Sequence, residues 1–158
     1  MGNLYSPFIM LKIECRFEGI VSACLAGYNC RYNCENRYDP VLSYLAKIGK
    51  LFPLCPEMIM GLGLPREPIY LSQTAEIAII SRRYLIMNKD EDITSDFLIH
   101  LEVLYDESLK YLPKFAILKE ESPSCGVHWY NNGECLLKGR GIFAEFLYRK
   151  GFCLIGVK

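Results

Sequence analysis

Eight cysteines stand in a chain of 158 residues, and three of them share one kind of position. Cys24 closes the apolar run Ile20-Val21-Ser22-Ala23. Cys55 closes Leu51-Phe52-Pro53-Leu54. Cys125 lies in the loop after Phe115-Ala116-Ile117-Leu118. If these runs are strands of one parallel sheet, their carboxyl ends open on a common crevice, the usual ligand site of such sheets. Three thiols distant in sequence would then meet there. Three thiolates with no histidine at matching strand ends favour a soft metal centre. Buried structural cysteines, which are common, are the competing reading. An iron–sulfur cluster normally takes four cysteines, so a set of three would leave one iron open to substrate.

The other cysteines carry weaker signals. Cys30 and Cys34 form a Cys-x-x-x-Cys pair near Cys24, which could hold zinc or sulfide or be a chance of the loop. Cys15, Cys135 and Cys153 read as packing residues. His100 falls in a helical stretch. His128, Trp129 and Tyr130 follow Cys125 closely enough to touch the same pocket, or simply to cover the loop.

The elements that must position the three thiols follow from periodicity. Residues 9–18 mostly alternate apolar and charged, the pattern of a half-exposed strand, which Gly19 is expected to break. Ile20–Cys24, Leu51–Cys55, Phe115–Leu118 and Phe152–Gly156 are short apolar strands. Asp39-Pro40 opens a helix that Gly49 stops. Residues 61–68 should be loop, and 76–87 one or two strands around Ser81-Arg82-Arg83. Glu91-Asp92-Ile93-Thr94 opens a long helix that Pro113 ends. Gly139 or Gly141 starts a last helix through Arg149. Strands alternating with amphipathic helices predict an α/β fold: a single domain over 1–158, with a mostly parallel, Rossmann-like sheet flanked by helices. Residues 1–19 are read as an N-terminal extension.

Composition narrows the function. Eighteen basic and 18 acidic residues cancel, so the broad electrostatic pull of a non-specific nucleic-acid binder is absent. No apolar run approaches the roughly 18 residues of a membrane span, so no membrane partner is expected. Lys12, Glu14, Arg16 and Glu18 interrupt the first apolar segment, unlike a signal peptide. The expected location is cytoplasmic, where thiols stay reduced and metal or thiolate chemistry outranks disulfides.

Three motifs then carry a resemblance. Val21-Ser22-Ala23-Cys24-Leu25-Ala26-Gly27-Tyr28-Asn29-Cys30-Arg31-Tyr32 resembles the opening motif of the thiouracil desulfidase (TudS-like) family. Cys55-Pro56-Glu57 through Gly61-Leu62 and Pro65-Arg66-Glu67-Pro68 resembles its second. Ala116-Ile117-Leu118-Lys119 with Ser122-Pro123-Ser124-Cys125-Gly126 resembles its third. The resemblance implies a [4Fe–4S] cluster on Cys24, Cys55 and Cys125 with one open iron. It implies removal of sulfur from thiolated uracil compounds without net redox change. Glu57 and Ser122 match the family's acid–base and substrate-orienting positions. A partly desolvated Glu57 would suit a general base. Ser22, Arg66, Lys119 and Ser124 are the expected substrate-binding groups.

The expected partner is a small thiopyrimidine: 2-thiouracil, thiouridine or a thionucleotide. The alternatives are a thiolated tRNA, which neutral charge disfavours, and a non-catalytic metal- or sulfide-binding role. The chain departs from the family pattern at Asn33-Cys34, where an Asp-Gly pair is usual, at Met60, and at Phe143, where a small hydroxyl residue is usual. Cys34 is expected to alter the pocket wall.

Overall fold

The computed structural model describes residues 17–158. The strand expected over 9–18 falls almost wholly outside them, as does Cys15. Phe17 and Glu18 have no regular structure, although the Glu18 N–H donates to the Lys50 carbonyl at 2.7 Å.

In chain order the elements are β1 (Gly19–Ser22), α1 (Pro40–Lys47), β2 (Leu51–Leu54), the single turn α2 (Pro56–Ile59), β3 (Tyr70–Leu71), α3 (Ala75–Ser81), β4 (Leu85–Met87), β5 (Glu91–Asp92) and α4 (Thr94–Glu107). After a 3-10 turn (Leu109–Tyr111) come β6 (Phe115–Lys119), β7 (Trp129–Asn131), β8 (Leu136–Lys138), α5 (Ile142–Arg149) and β9 (Cys153–Val157). The main sheet has order β2-β1-β6-β9 and is parallel throughout, as the alternation of strands and helices predicts. Short antiparallel sheets form from β3-β4-β5 and from the β7-β8 hairpin.

Period two along β1 divides the core. Ile20 faces the larger cluster with Leu54, Phe97, Leu118 and Phe143, while Val21 faces a smaller one with Leu25, Leu42 and Leu51. Gly19 begins β1, pairing with Leu51. Its missing side chain matters there, because a Cβ would meet the Phe115 carbonyl oxygen at 2.6 Å.

Several boundaries differ from expectation, each for a local reason. Residues 75–81 are helix, not strand. Thr74 caps that helix by accepting from the Ile77 N–H, and Arg82 stops it in the left-handed region at φ 55°. Its small residues Ala75 and Ala78 face the core, while Ile80 is left 75% exposed. An isoleucine-rich segment that turns its alanines inward reads as a strand by composition alone. Glu91-Asp92 belongs to β5 rather than to the long helix, because Asp92 is spent on turn chemistry. Its Oδ1 accepts from the Thr94 N–H and hydroxyl, and its Oδ2 from the Tyr84 N–H. The same helix gives way to the 3-10 turn short of Pro113. Cys135 and Cys153 are exposed rather than packed. Among the described residues no helix is long and apolar enough to cross a membrane.

Candidate active site

The carboxyl ends of β1, β2 and β6 open on a cavity of about 980 Å³, and Cys24, Cys55 and Cys125 all line it. Each thiol is fixed by its own backbone. Cys24 follows β1 in a tight turn whose Leu25 and Ala26 N–H groups donate back to the Ser22 carbonyl. Cys55 is the residue before α2, held extended by Pro56 at the first helical position. Cys125 is set by Ser122, whose hydroxyl oxygen accepts from the N–H groups of Ser124 and Cys125. The Gly126 N–H then returns to the Ser122 carbonyl. Only glycine fits at 126, where a Cβ would collide with the Trp129 carbonyl oxygen.

A fourth thiol joins them. The Cys30 side chain hydrogen-bonds both Cys24 and Cys55, and it too lines the cavity. The Cys30 contact draws the Cys24 and Cys55 thiols below the usual thiol range, against burial, and Cys30 is pushed far up as the group that keeps its proton. Burial pushes Cys125 up, and a hydrogen bond from the Ser22 hydroxyl opposes it.

Glu57 projects from α2 into the same cavity. Its Oε2 accepts from Arg66 Nε at 2.9 Å and Nη2 at 2.7 Å, and its Oε1 accepts from Ser124 Oγ at 2.9 Å. The Arg66 side chain is 3% exposed and that of Glu57 13%. A charged, hydrogen-bonded carboxylate is therefore locked in one orientation at the cavity wall. Arg66 also donates to the Cys30 carbonyl at 2.8 Å, tying Glu57 to the first loop. Arg66 and Ser124, read from the sequence as substrate-binding, are placed against Glu57. Ser124 is fully buried. Ser22 is likewise turned inward, accepting from the Lys119 N–H at 3.0 Å and reaching the Cys125 sulfur.

Lys119 lines the cavity and donates from Nζ to the Glu120 carbonyl at 2.9 Å. Burial draws its ammonium below the usual lysine range. Ser122 uses its oxygen within the loop, which leaves its hydroxyl hydrogen for an acceptor in the cavity. His100 is a surface residue bonded to the Asp96 carbonyl. His128 is 67% exposed at its side chain and pairs with Glu120.

Glu120 was not singled out by sequence, yet it organises the loop after β6. Its carboxylate accepts from the N–H groups of Val127, His128 and Trp129 and from the His128 ring. The available signal was an acidic residue directly between Lys119 and the Ser-Pro-Ser-Cys-Gly run. Burial works to raise this carboxyl, but the bonds from the His128 ring and the three N–H groups outweigh it and hold it below the usual range. A lowered folded-state pKa contributes stability above the unfolded value, and that contribution fades as pH falls through the folded one. Glu120→Gln should therefore lower the urea midpoint at pH 7, and the gap to the parent protein should narrow below about pH 4, the ordinary carboxylate range.

Cys34 does not line the cavity, contrary to expectation. It is exposed, at φ 62°. The left-handed backbone explains why glycine suits this position in the family pattern. Relief of about 1–2 kcal/mol of left-handed strain, less about 0.5–1 kcal/mol for glycine's freedom when unfolded, leaves a gain of up to about 1.5 kcal/mol for Cys34→Gly. Urea unfolding against a Cys34→Ala control checks this. Phe143 is fully buried in the core, so this departure from the pattern also lies away from the cavity.

Four cysteines, Cys24, Cys30, Cys55 and Cys125, line this crevice, with no histidine among its described lining residues. Among the described residues no three His, Cys, Asp or Glu side chains are gathered tightly enough to grip a single metal ion. Soft thiol donors from three separate strand ends are the donor type an iron–sulfur group takes.

The class these features define is a sulfur-handling α/β enzyme, and comparison with known proteins agrees. The sequence profile of the 2-thiouracil desulfurase family matches residues 20–157, and the chain belongs to that family. It is an enzyme of the thiouracil desulfidase type. Its relatives include the uncharacterized protein YbbK of Bacillus subtilis (strain 168), 30% identical over 140 residues, covering 86% of this chain and 93% of that one. Among solved structures it is similar to the [4Fe-4S]-dependent thiouracil desulfidase TudS. That match has a TM-score of 0.72 and 30% identity, over 88% of this chain and 89% of the other.

Proposed function

We propose that the protein replaces the thiocarbonyl sulfur of a small thiolated pyrimidine by oxygen, with a [4Fe–4S] cluster held by Cys24, Cys55 and Cys125. One iron is left for the substrate. The observation that carries this reading is the convergence of three strand-end thiols and one fixed carboxylate on a single cavity. The [4Fe-4S] dependence of the similar TudS supports it. When bound, the cluster supplies a Lewis acid that takes the thiocarbonyl sulfur and polarises its bond to the ring carbon.

The chain's own residues do the rest. Glu57 accepts a proton from a water molecule at Oε1, where among the described residues Ser124 alone donates. Arg66 keeps the carboxylate aimed and ionised-state hydrogen bonds satisfied from the Oε2 side. The Ser122 hydroxyl donates to a ring carbonyl or nitrogen, and the Lys119 side chain also lines the cavity. Water contributes its oxygen to the ring carbon. Its two protons leave with the sulfur as hydrogen sulfide, one by way of Glu57, and no electron is transferred.

The cavity has room beyond a single pyrimidine ring, within the usual range of small-ligand sites of about 300–1,000 Å³. Arg31, Arg37 and Lys119 line it. Arg31 and Arg37 share one acidic partner, Glu35. A substrate phosphate would have cations to meet. Of the two adjacent basic pairs, Arg149 and Lys150 are paired with Glu145 and Glu102, while Arg82 and Arg83 are exposed. Anaerobic sulfide release from 2-thiouracil, thiouridine, a thiouridine monophosphate and a thiolated tRNA tests the reading. Turnover of one of the small compounds is expected. Turnover of the tRNA alone would overturn the substrate class.

A further inference from the structure

The last helix begins without a capping side chain. Gly141, the residue before α5, offers none, yet the first N–H groups of a helix need acceptors. They find them on the loop that carries Cys125. The Gly141 N–H donates to the Gly126 carbonyl at 2.8 Å, and that of Ile142 to the Pro123 carbonyl at 3.0 Å. The N–H groups of Phe143 and Ala144 both donate to the Ser124 carbonyl, at 2.9 and 3.1 Å. The donors that a helix start leaves free are thus all spent on one loop. Gly141 has ordinary backbone angles, φ −70° and ψ 166°, so its lack of a side chain answers a need for space. A Cβ there would stand 2.6 Å from the Ser124 carbonyl carbon and oxygen. The helix start is itself clamped. Glu145, with 4% of its side chain exposed, pairs with Arg140 at 3.0 Å and with Arg149 at 2.9 Å. The Arg140 guanidinium carbon lies 3.7 Å from the centre of the Tyr148 ring. Neither Gly141 nor Glu145 lines the cavity.

We propose that Gly141 and the clamped first turn of α5 are positioning elements of the reaction, acting on Glu57 through Ser124. The proposal rests on Glu57 as the base and goes beyond it, by assigning what aims the oxygen that takes the proton. Both Arg66 bonds end on Oε2. They fix one oxygen and leave the other to a second donor. Among the described residues the Ser124 hydroxyl alone donates to Oε1, at 2.9 Å. Ser124 is fully buried, and its carbonyl is gripped by two N–H groups of α5. That grip fixes the peptide from which the hydroxyl reaches Glu57, so the plane of the carboxylate is set from the helix. Proton transfer to a positioned base depends on such aim. Cys125 is held separately, its own N–H donating to the Ser122 hydroxyl oxygen. The loop can therefore lose the aim of Ser124 without losing the place of Cys125.

The test is a double-variant cycle on the full chain reconstituted anaerobically, with sulfide release from 2-thiouracil and from thiouridine expressed per bound iron. Gly141→Ala should hold its iron, keep KM within about twofold, and lower kcat by up to about tenfold, as much as Ser124→Ala does. In the Ser124→Ala background the same substitution should lower kcat by less than about twofold, because the hydroxyl through which it acts is gone. Glu145→Gln loosens the clamp without adding bulk, and should show the same pattern with a fall in kcat of about threefold. It carries the comparison if circular dichroism or iron content shows that Gly141→Ala does not fold or load. Parent-like kcat in both variants would overturn the proposal. So would losses of equal size in the parent and Ser124→Ala backgrounds, since a helix that only supports the fold costs the same in either. A rise in KM with kcat unchanged would overturn it too. Full turnover by Glu57→Gln would overturn the base, and this proposal with it, a separate result that needs no variant in α5.

Discussion

Cys24→Ser, Cys55→Ser and Cys125→Ser should each emerge from anaerobic reconstitution pale, depleted in iron and acid-labile sulfide, and without measurable sulfide release. A serine hydroxyl is not deprotonated near neutral pH and is a hard donor, so it replaces a thiolate poorly at a soft metal. Cys125 is buried between the Ser22 hydroxyl and the loop built on Ser122. A serine there keeps hydrogen-bonding capacity, and the fold should persist while the ligand is lost. Cys135→Ser and Cys153→Ser, both at exposed positions that do not line the cavity, should match the parent in iron content and rate. Iron and sulfide assays beside circular dichroism separate loss of ligand from loss of fold.

Glu57→Gln should keep the iron and lose the reaction, with a fall in rate of about 10²–10⁴-fold, the range for a positioned general base. The amide oxygen of glutamine can still accept from Ser124 or Arg66, so the side chain stays near its place. It cannot take a proton from water. The supporting residues should matter less and differently. Ser124→Ala removes one bond to Oε1, leaves the Arg66 bonds, and should cost about 10-fold or less, in keeping with an interaction of about 1.4 kcal/mol. Arg66→Lys keeps a charge but not the two parallel donors or the reach to the Cys30 carbonyl, so it should disturb both the carboxylate and the first loop. A Glu57→Gln protein with full turnover would remove the base from this mechanism.

The strand-end address of Cys24, Cys55 and Cys125 was legible because short apolar runs in an α/β pattern leave few topologies, and a parallel sheet opens its carboxyl ends to one side. The motifs then named the family. What could not be read were contacts made by loops. Arg66 lies nine residues from Glu57 across a stretch rich in glycine and proline, and no periodicity foretells that the two side chains meet. Cys30 looked like half of a Cys-x-x-x-Cys pair, but the chain turns Cys30 inward and Cys34 outward at a positive φ. Composition misled at residues 75–81, where capping by Thr74 and two buried alanines decide for helix over the β-branched content. The β7-β8 hairpin was missed because its strands have three residues each, too few for alternation to register.

The central claim is that this chain removes sulfur hydrolytically at a thiolate-held iron–sulfur cluster. The most direct measurement is a single anaerobic turnover assay of the reconstituted protein with 2-thiouracil and no electron donor or acceptor, quantifying iron, uracil and sulfide together. The account predicts four irons per chain and equal amounts of uracil and sulfide. A protein loaded with zinc alone, or uracil formed only when an external reductant or oxidant is supplied, would contradict it.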